Sequence, residues 1–477
     1  MEEVAAGLDI GTSSIKLVLR GRKGVVYSAI KRHSGPADKR ELPPGLLLSD
    51  VFRMLRSAAV ENKNFKIKAI GLSALYPSLI VLDAQGKPLT RIMTWLDEKG
   101  GEAAGKFRKG ALAASLHKRT GCPAHGSYPL WKLIWLRKNK PEIFRPAAKF
   151  LSLPDYLVYR LTGKYAVSRA IASTTGLFNI RTLEWDKKAL ALAGISAAQL
   201  PECFSIYHLE PILQGPRFET GLPPDAVVVL GAGDGHLCNI GAGCADGKVC
   251  STVGASSAVR VIGPLKGYNP SVWRYYLYGD KYVSGIAANA GLSTLEWFVK
   301  DILREKSERL PRLISGLDPA LTTGIVFLPF LDGERGPGYN QGMSAAFMGL
   351  RSSDGSREMF KAVLEGLFFS LYHCLEVLFG NTRKPAEITA TGGYARFPGL
   401  LQLQADIFGM RVKAIDSDEA SADGSAKVAL TALGTISSPL AIKPGIRKIY
   451  FPDSRRQLEY KVKYAAYRKF YEMQADK

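Results

Sequence analysis

Two short stretches of this chain echo each other. "GTSSIKLV" begins at Gly11 and "GASSAVRV" begins at Gly254, about half a chain length later. Each follows an apolar or small-residue run and leads into a second strand-like run. Glycine followed by small hydroxyl residues favours a tight turn, so each stretch predicts a strand–turn–strand unit. Repetition of that unit points to a fold built from two similar halves, unless common turn residues recur by chance. The chain of 477 residues is long enough for two or three domains with a large core.

The rest of the chain alternates in the same sense. Strand-like runs such as "KAIGLSALY", "SLIVLD", "AVVVLGAGDG", "VCSTVGASSAVRVIG", "GIVFLPF" and "ITATGG" are separated by helical stretches. "EMFKAVLEGLFFSLYHCLEVLFG" has helical spacing, with Lys361, Glu365 and Glu376 interrupting its apolar face. Strands alternating with helices predict an α/β architecture.

Composition narrows the function classes. No uninterrupted apolar run reaches about 18 residues, so no membrane-spanning helix is expected. The acidic start, Met-Glu-Glu-Val, runs straight into a strand-like segment and is unlike a signal peptide. A cytoplasmic location is the expectation. The net charge of +21 could draw nucleic acid, an anionic surface or anionic substrates. The charges are dispersed, though densest after Lys443, so a lysine-rich solvated surface is the favoured reading and no specific nucleic-acid or membrane partner is expected. The cysteines, Cys122, Cys203, Cys238, Cys244, Cys250 and Cys374, contain no CxxC pair. They read as small reduced thiols, with a metal site as the alternative.

Two carboxylates stand out. Asp9 ends an apolar run just before Gly11, Thr12, Ser13 and Ser14. That turn offers backbone N–H groups and hydroxyls to phosphate oxygens, and Lys16 either adds charge or is a solvated strand residue. A carboxylate beside phosphate is repelled unless a cation stands between them, which suggests Mg²⁺ at Asp9. The plain alternative is a hairpin with an aspartate at its lip. Asp234 follows the buried-strand pattern "AVVVLGAG" among glycines. It could take a proton from a substrate hydroxyl that attacks a phosphoryl group, or it could belong to an ordinary Asp-Gly turn. His236 reads as structural. No GxxxxGK[ST] loop is present, and "GAGDGH" lacks the last glycine of a dinucleotide fingerprint.

Together these features resemble the FGGY family of carbohydrate kinases, of the actin, hexokinase and Hsp70 superfold, over nearly the whole chain. "GLDIGTSSIK" resembles the first phosphate motif, "TWLDEKGG" the sugar loop, and "SYPLWKLIWLRKN" and "AAFMGLRSSDGSREMFKAVLE" the two family signatures. "TVGASSAVR" resembles the second phosphate motif and "TGGYARFPGLLQLQADIFG" the adenosine motif. The resemblance implies two ribonuclease-H-like domains, 1–243 and 244–477, with a cleft between them that closes over ATP and Mg²⁺. Asp234 is implied as the catalytic base and Asp9 as the Mg²⁺-organising carboxylate. Gly11 to Ser14 with Lys16, and Gly254, Ala255, Ser256 and Ser257, are implied phosphate contacts. Gly392, Gly393, Tyr394, Ala395 and Phe397 are the implied adenosine contacts. Tyr76, Pro77, Trp95, Asp97 and Lys99 join Asp234 as implied substrate contacts.

Several stretches are most similar to the gluconate-kinase branch, with xylulose kinases next. Four positions depart from the family pattern. Pro77 replaces a histidine, with Tyr76 as a replacement donor. Lys99 replaces an arginine and loses its planar fork. Ala255 replaces a threonine, and Phe397 a small or polar residue. The expected activity is ATP-dependent phosphorylation of a sugar, polyol or sugar acid by a monomer or homodimer. A non-catalytic sugar or nucleotide sensor and a chaperone-like ATPase are the alternatives.

Overall fold

The computed structural model describes residues 1–34, 38–108, 110–265, 267–316, 321–380, 382 and 384–475. Its contacts divide the chain into two compact units. One holds Met1–Gly243, Gly263–Val283 and Glu419–Lys443; the other holds Cys244–Ile262, Ser284–Asp418 and Pro444–Lys477. The domains expected from sequence are contiguous, whereas the contact units are not, because two later segments group with the first unit.

In the first unit a six-stranded sheet runs in the order Leu209–Pro211, Val227–Gly233, Phe65–Ala74, Glu2–Ile10, Ser14–Arg20, Val25–Arg32. The second, third and fourth of these are parallel, and the others join antiparallel. In the second unit a sheet contains the order Ile446–Tyr450, Arg411–Ile415, Glu387–Thr391, Val249–Val253, Ser257–Gly263. Its pairings over Ile446 to Gly263 have the same pattern of antiparallel and parallel neighbours. The two echoing stretches are therefore the turns of equivalent hairpins, Glu2–Arg20 and Val249–Gly263. The apolar runs before each turn are the central strands, buried on both faces as parallel strands require.

Helix Ala420–Ala432 shows why small residues recur in "ASADGSAKVALTA". A Cβ at Gly7 would lie 1.9 Å from the Ala422 carbonyl oxygen, and one at Gly71 would lie 2.3 Å from that of Ser425. The helix backbone thus rests directly on two sheet strands. Ser425 Oγ donates to the Gly71 carbonyl at 2.6 Å, and the buried Arg20 and Lys427 both pair with Asp423. Gly7→Ala is expected to lower unfolding free energy by about 3 kcal/mol, measured by urea denaturation. An unchanged midpoint would show that the helix does not bear on this strand.

In the second unit, helix Ser356–Phe379 is long and apolar enough by composition to cross a membrane, but 72% of its most apolar window is buried inside the fold. Its interrupting charges are paired: Glu365 with Lys463, and Glu376 with Lys384 at 2.7 Å. Five of the six cysteines are buried and Cys203 is half-buried, all as free thiols.

Candidate active site

The first unit gathers a cluster of coupled charges at one end of its parallel strands. Asp9 is the penultimate residue of its strand, opposite Lys16 across the hairpin and Ser73 on the parallel neighbour. Residues in register project to the same face. Ser73 Oγ donates to Asp9 Oδ1 at 2.6 Å, and Lys16 Nζ lies 2.6 Å from Glu419 Oε2. Asp9 is 6% exposed. Burial pushes its carboxyl up to about 7, while Lys16 pulls it down and Asp234 and Glu419 push it up. Two further carboxylates and one ammonium group thus act on the Asp9 carboxyl. A buried oxygen donor with that excess of negative charge fits a hard divalent cation such as Mg²⁺. Among the described residues no group of three His, Cys, Asp or Glu side chains could cage a metal. Water and phosphate oxygens would complete its shell.

Asp234 opens helix Asp234–Gly241 directly after strand Val227–Gly233. It is half-buried. Its Oδ1 accepts the Gly235 N–H at 2.6 Å, and Ser421 Oγ donates to its carbonyl at 3.1 Å. A Cβ at Gly233 would lie 2.0 Å from the Tyr76 ring, so glycine lets Tyr76 close against the strand end. Tyr76 is joined to Pro77, itself buried, by a cis peptide bond. The Tyr76 ring lies 5.1 Å from His236 and 5.7 Å from Tyr275, and the Tyr275 and Tyr128 hydroxyls are 2.7 Å apart. Asp234 therefore borders an aromatic wall.

The hairpin turn beside Asp9 is held from one side. Gly11 N–H donates to Ser14 O at 3.0 Å, and His33 N–H to Ser13 O at 3.1 Å. His33 Nε2 donates to Gly11 O at 2.8 Å. Thr12 is half-buried and Ser13 exposed. Lys16, expected at phosphate, is already committed to Glu419.

The sugar-loop stretch stands over a buried lysine. Asp97 is 2% exposed; its Oδ1 accepts the Lys99 N–H at 3.0 Å and its Oδ2 lies 3.0 Å from Lys99 Nζ. Lys99 also pairs with Glu41. Trp95 packs against the core of the unit. Below them Lys132, wholly buried on helix Pro129–Asn139, donates to the Thr94 carbonyl. Burial pushes its ammonium down to about 7, against the pull of Asp97 and Glu98.

The second unit carries the equivalent hairpin. In its parallel register Thr252 occupies the place of Asp9 and Thr391 that of Ser73. Their hydroxyls lie 2.8 Å apart, and Arg260 Nη1 donates to Thr252 at 2.9 Å. The same strand position thus holds a carboxylate in one unit and a hydroxyl beside a cation in the other. The Gly254 and Ala255 carbonyls are bound from behind by Leu292 N–H at 2.7 Å and Ser293 Oγ at 2.5 Å. The turn keeps its shape without the hydroxyl that Ala255 lacks. Ser257 is 2% exposed, its hydroxyl enclosed without a hydrogen-bond partner among the described residues.

Gly392 and Gly393 are exposed. Gly392 adopts φ +90°, and a Cβ there would lie 2.8 Å from the Val253 carbonyl, so only glycine brings this turn against the end of the second hairpin's first strand. Ala395 and Phe397 are half-buried. Tyr394 departs from the expectation of a nucleotide contact. It is wholly buried, and its hydroxyl donates to Gln404 Oε1 at 2.6 Å. It supports the glycine turn from within the core.

Two sequence profiles match the chain. The FGGY carbohydrate-kinase N-terminal domain covers residues 4–241 and the C-terminal domain residues 251–433. The chain belongs to the FGGY family of carbohydrate kinases. It is 32% identical to a gluconokinase of Bacillus licheniformis, over 92% of this chain and 89% of the relative. Among solved structures it is similar to a ligand-bound xylulose kinase from Lactobacillus acidophilus, with TM-score 0.91, 28% identity, and coverage of 99% and 98% of the two chains. A gluconate kinase from the same organism gives TM-score 0.90 at 28% identity, covering 100% and 99%.

In this carbohydrate kinase, Ser73, Glu419, His33, Tyr275 and Lys132 join the site from outside the sequence reading. Lys132 and Tyr128 lie inside a quoted signature, so a buried lysine there was a readable signal. The others meet the site only through sheet register or chain return. Lys132→Met is expected to lower kcat/KM for sugar by about 10²-fold, through a higher KM, with nucleotide affinity unchanged in calorimetry. Unaltered sugar kinetics would separate Lys132 from the loop's function.

Proposed function

We propose that this carbohydrate kinase transfers the γ-phosphoryl group of ATP to a hydroxyl of a gluconate-like sugar acid, with a xylulose-like ketose as the alternative substrate. Asp234 takes the hydroxyl proton as the oxygen bonds to the γ-phosphorus. The bond from phosphorus to the ADP oxygen breaks, and ADP leaves with the electron pair. Asp9 would hold Mg²⁺, which when bound neutralises phosphate charge. Each hairpin turn offers backbone N–H groups and hydroxyls to phosphate oxygens, and Gly392 and Gly393 admit the adenosine to the backbone.

The observation that carries this reading is the position of Asp234: at a strand end, electrostatically coupled to Asp9 and bordered by Tyr76. The gluconate preference is supported by 32% identity to a gluconokinase, against 26% to a xylulose kinase of Staphylococcus epidermidis. We also place the enzyme in the cytoplasm as a monomer or homodimer.

A substrate panel of gluconate, xylulose, ribulose, fuculose, erythritol and glycerol, read by ADP release, tests the reading. Gluconate is expected to give the highest kcat/KM. Turnover confined to neutral ketoses would overturn the gluconate assignment, and binding without turnover on every sugar would favour a sensor.

A further inference from the structure

Helix Ala420–Ala432 begins beside the end of the first sheet that carries Asp9. Glu419 stands at its N-cap, with φ −121° and ψ 56°, yet the side chain makes no capping hydrogen bond. Asp, Asn, Ser and Thr are the effective caps, and glutamate is not among them. The carboxylate turns instead to the hairpin, where its Oε2 lies 2.6 Å from Lys16 Nζ. The two side chains are 10% and 33% exposed, so this is not the solvent-screened surface pair that contributes little.

The pair is fixed from both sides. The helix rests on the strand of Asp9, two residues before it, where a Cβ at Gly7 would meet the Ala422 carbonyl oxygen at 1.9 Å. Its first turn also reaches the other acid of the site, through Ser421 Oγ donating to the Asp234 carbonyl. Lys16 stands opposite Asp9 across the hairpin. Burial opposes the Lys16 ammonium, but Asp9 and Glu419 outweigh it and hold the group charged. One ammonium thus answers two carboxylates before any ligand arrives.

Phosphate reaching the turn at Gly11 to Ser14 without a cation meets Asp9 and Glu419 with their lysine already paired, and like charges repel. A divalent cation at Asp9 reverses the sign of that field. We propose that Glu419 is a positioning residue that makes nucleotide binding depend on the divalent cation, because by holding Lys16 it withholds that lysine from metal-free phosphate. The inference rests on the reading of this site as one for Mg²⁺ and ATP. The site thereby discriminates between nucleotide with and without its cation, and the residue that does so comes from the far end of the chain.

The test is calorimetry of ADP binding to the full chain, with Mg²⁺ or with a chelator, at constant ionic strength. The parent is expected to bind ADP more weakly in chelator. Glu419→Gln keeps the size of the side chain and removes its charge. It should tighten metal-free ADP binding by about fivefold or more, while changing the affinity for ADP with Mg²⁺ by less than about twofold. Glu419→Ser, which can cap the helix, should give the same gain and keeps the test open if the glutamine variant fails to fold. In a Lys16→Met background Glu419→Gln should give no gain, because its effect runs through the lysine. A merely structural glutamate behaves otherwise: its loss lowers Tm and weakens both forms of binding together. That pattern, a metal-free affinity equal to the parent's, or an undiminished gain in the Lys16→Met background would overturn the role of Glu419. A parent that binds ADP under neither condition would remove the nucleotide site and this role with it, whereas Mg²⁺-dependent binding unmoved by Glu419→Gln would remove this role alone.

Discussion

An Asp234→Ala enzyme is expected to bind nucleotide almost as the parent does and to turn over about 10²- to 10⁴-fold more slowly. The carboxylate is held at the first residue of a helix, where its Oδ1 accepts the Gly235 N–H at 2.6 Å. The helix packs through Gly241 and Leu237 on the backbone of Ala420 to Gly424, so removing one half-buried side chain leaves that packing intact. The loss should therefore appear in kcat, with the affinity for a non-hydrolysable ATP analogue nearly unchanged in calorimetry. Asp234→Asn keeps the shape and removes the proton acceptor, and it should lose activity to a similar extent. Turnover near the parent level in either variant would remove Asp234 from the role of base.

The second large effect is expected at Asp9. Asp9→Asn should reduce turnover by at least about 10²-fold and weaken the Mg²⁺ dependence of nucleotide binding, because it withdraws the negative oxygen proposed to hold the cation. Without metal and nucleotide the same change acts differently on stability. The Asp9 carboxyl is raised from its ordinary range to about 7. The folded chain therefore holds a proton that the unfolded chain has released between about pH 4 and 7. That contribution to stability is present below the unfolded value and is lost as pH rises through the folded value. Urea denaturation of the metal-free parent should show this decline, and Asp9→Asn should lack it. Parallel pH profiles for the two proteins would show that Asp9 ionises as a solvated carboxylate does.

Much of the site was legible because its parts are local. A carboxylate, a glycine and small hydroxyl residues in succession make a strand end and a turn wherever they occur, and the echo at Gly254 marked the second hairpin. Asp234 was legible for the same reason, as a carboxylate following an apolar run among glycines. The partners of these residues were not. Lys16 reads as a charge free for phosphate, yet Glu419 from the far end of the chain claims it. Tyr394 is an implied adenosine contact in the sequence, yet Gln404 and Ser251 draw its hydroxyl into the core. Ala255 reads as a loss to the phosphate turn, yet Ser293 and Leu292 hold that turn through its backbone.

By itself the sequence determined the α/β alternation, the paired hairpins, the two carboxylates and the family, since each depends on residues close together in the chain or on ordered motifs. Only the tertiary structure decided that segments 263–283 and 419–443 group with the first unit, and that they bring Tyr275, Arg274 and Glu419 to their neighbours. It also decided that Thr252 stands where Asp9 stands. The physical reason is that strand register and chain return couple residues hundreds of positions apart. Burial, charge pairing and a shifted proton affinity arise from those couplings and leave no local pattern in the chain.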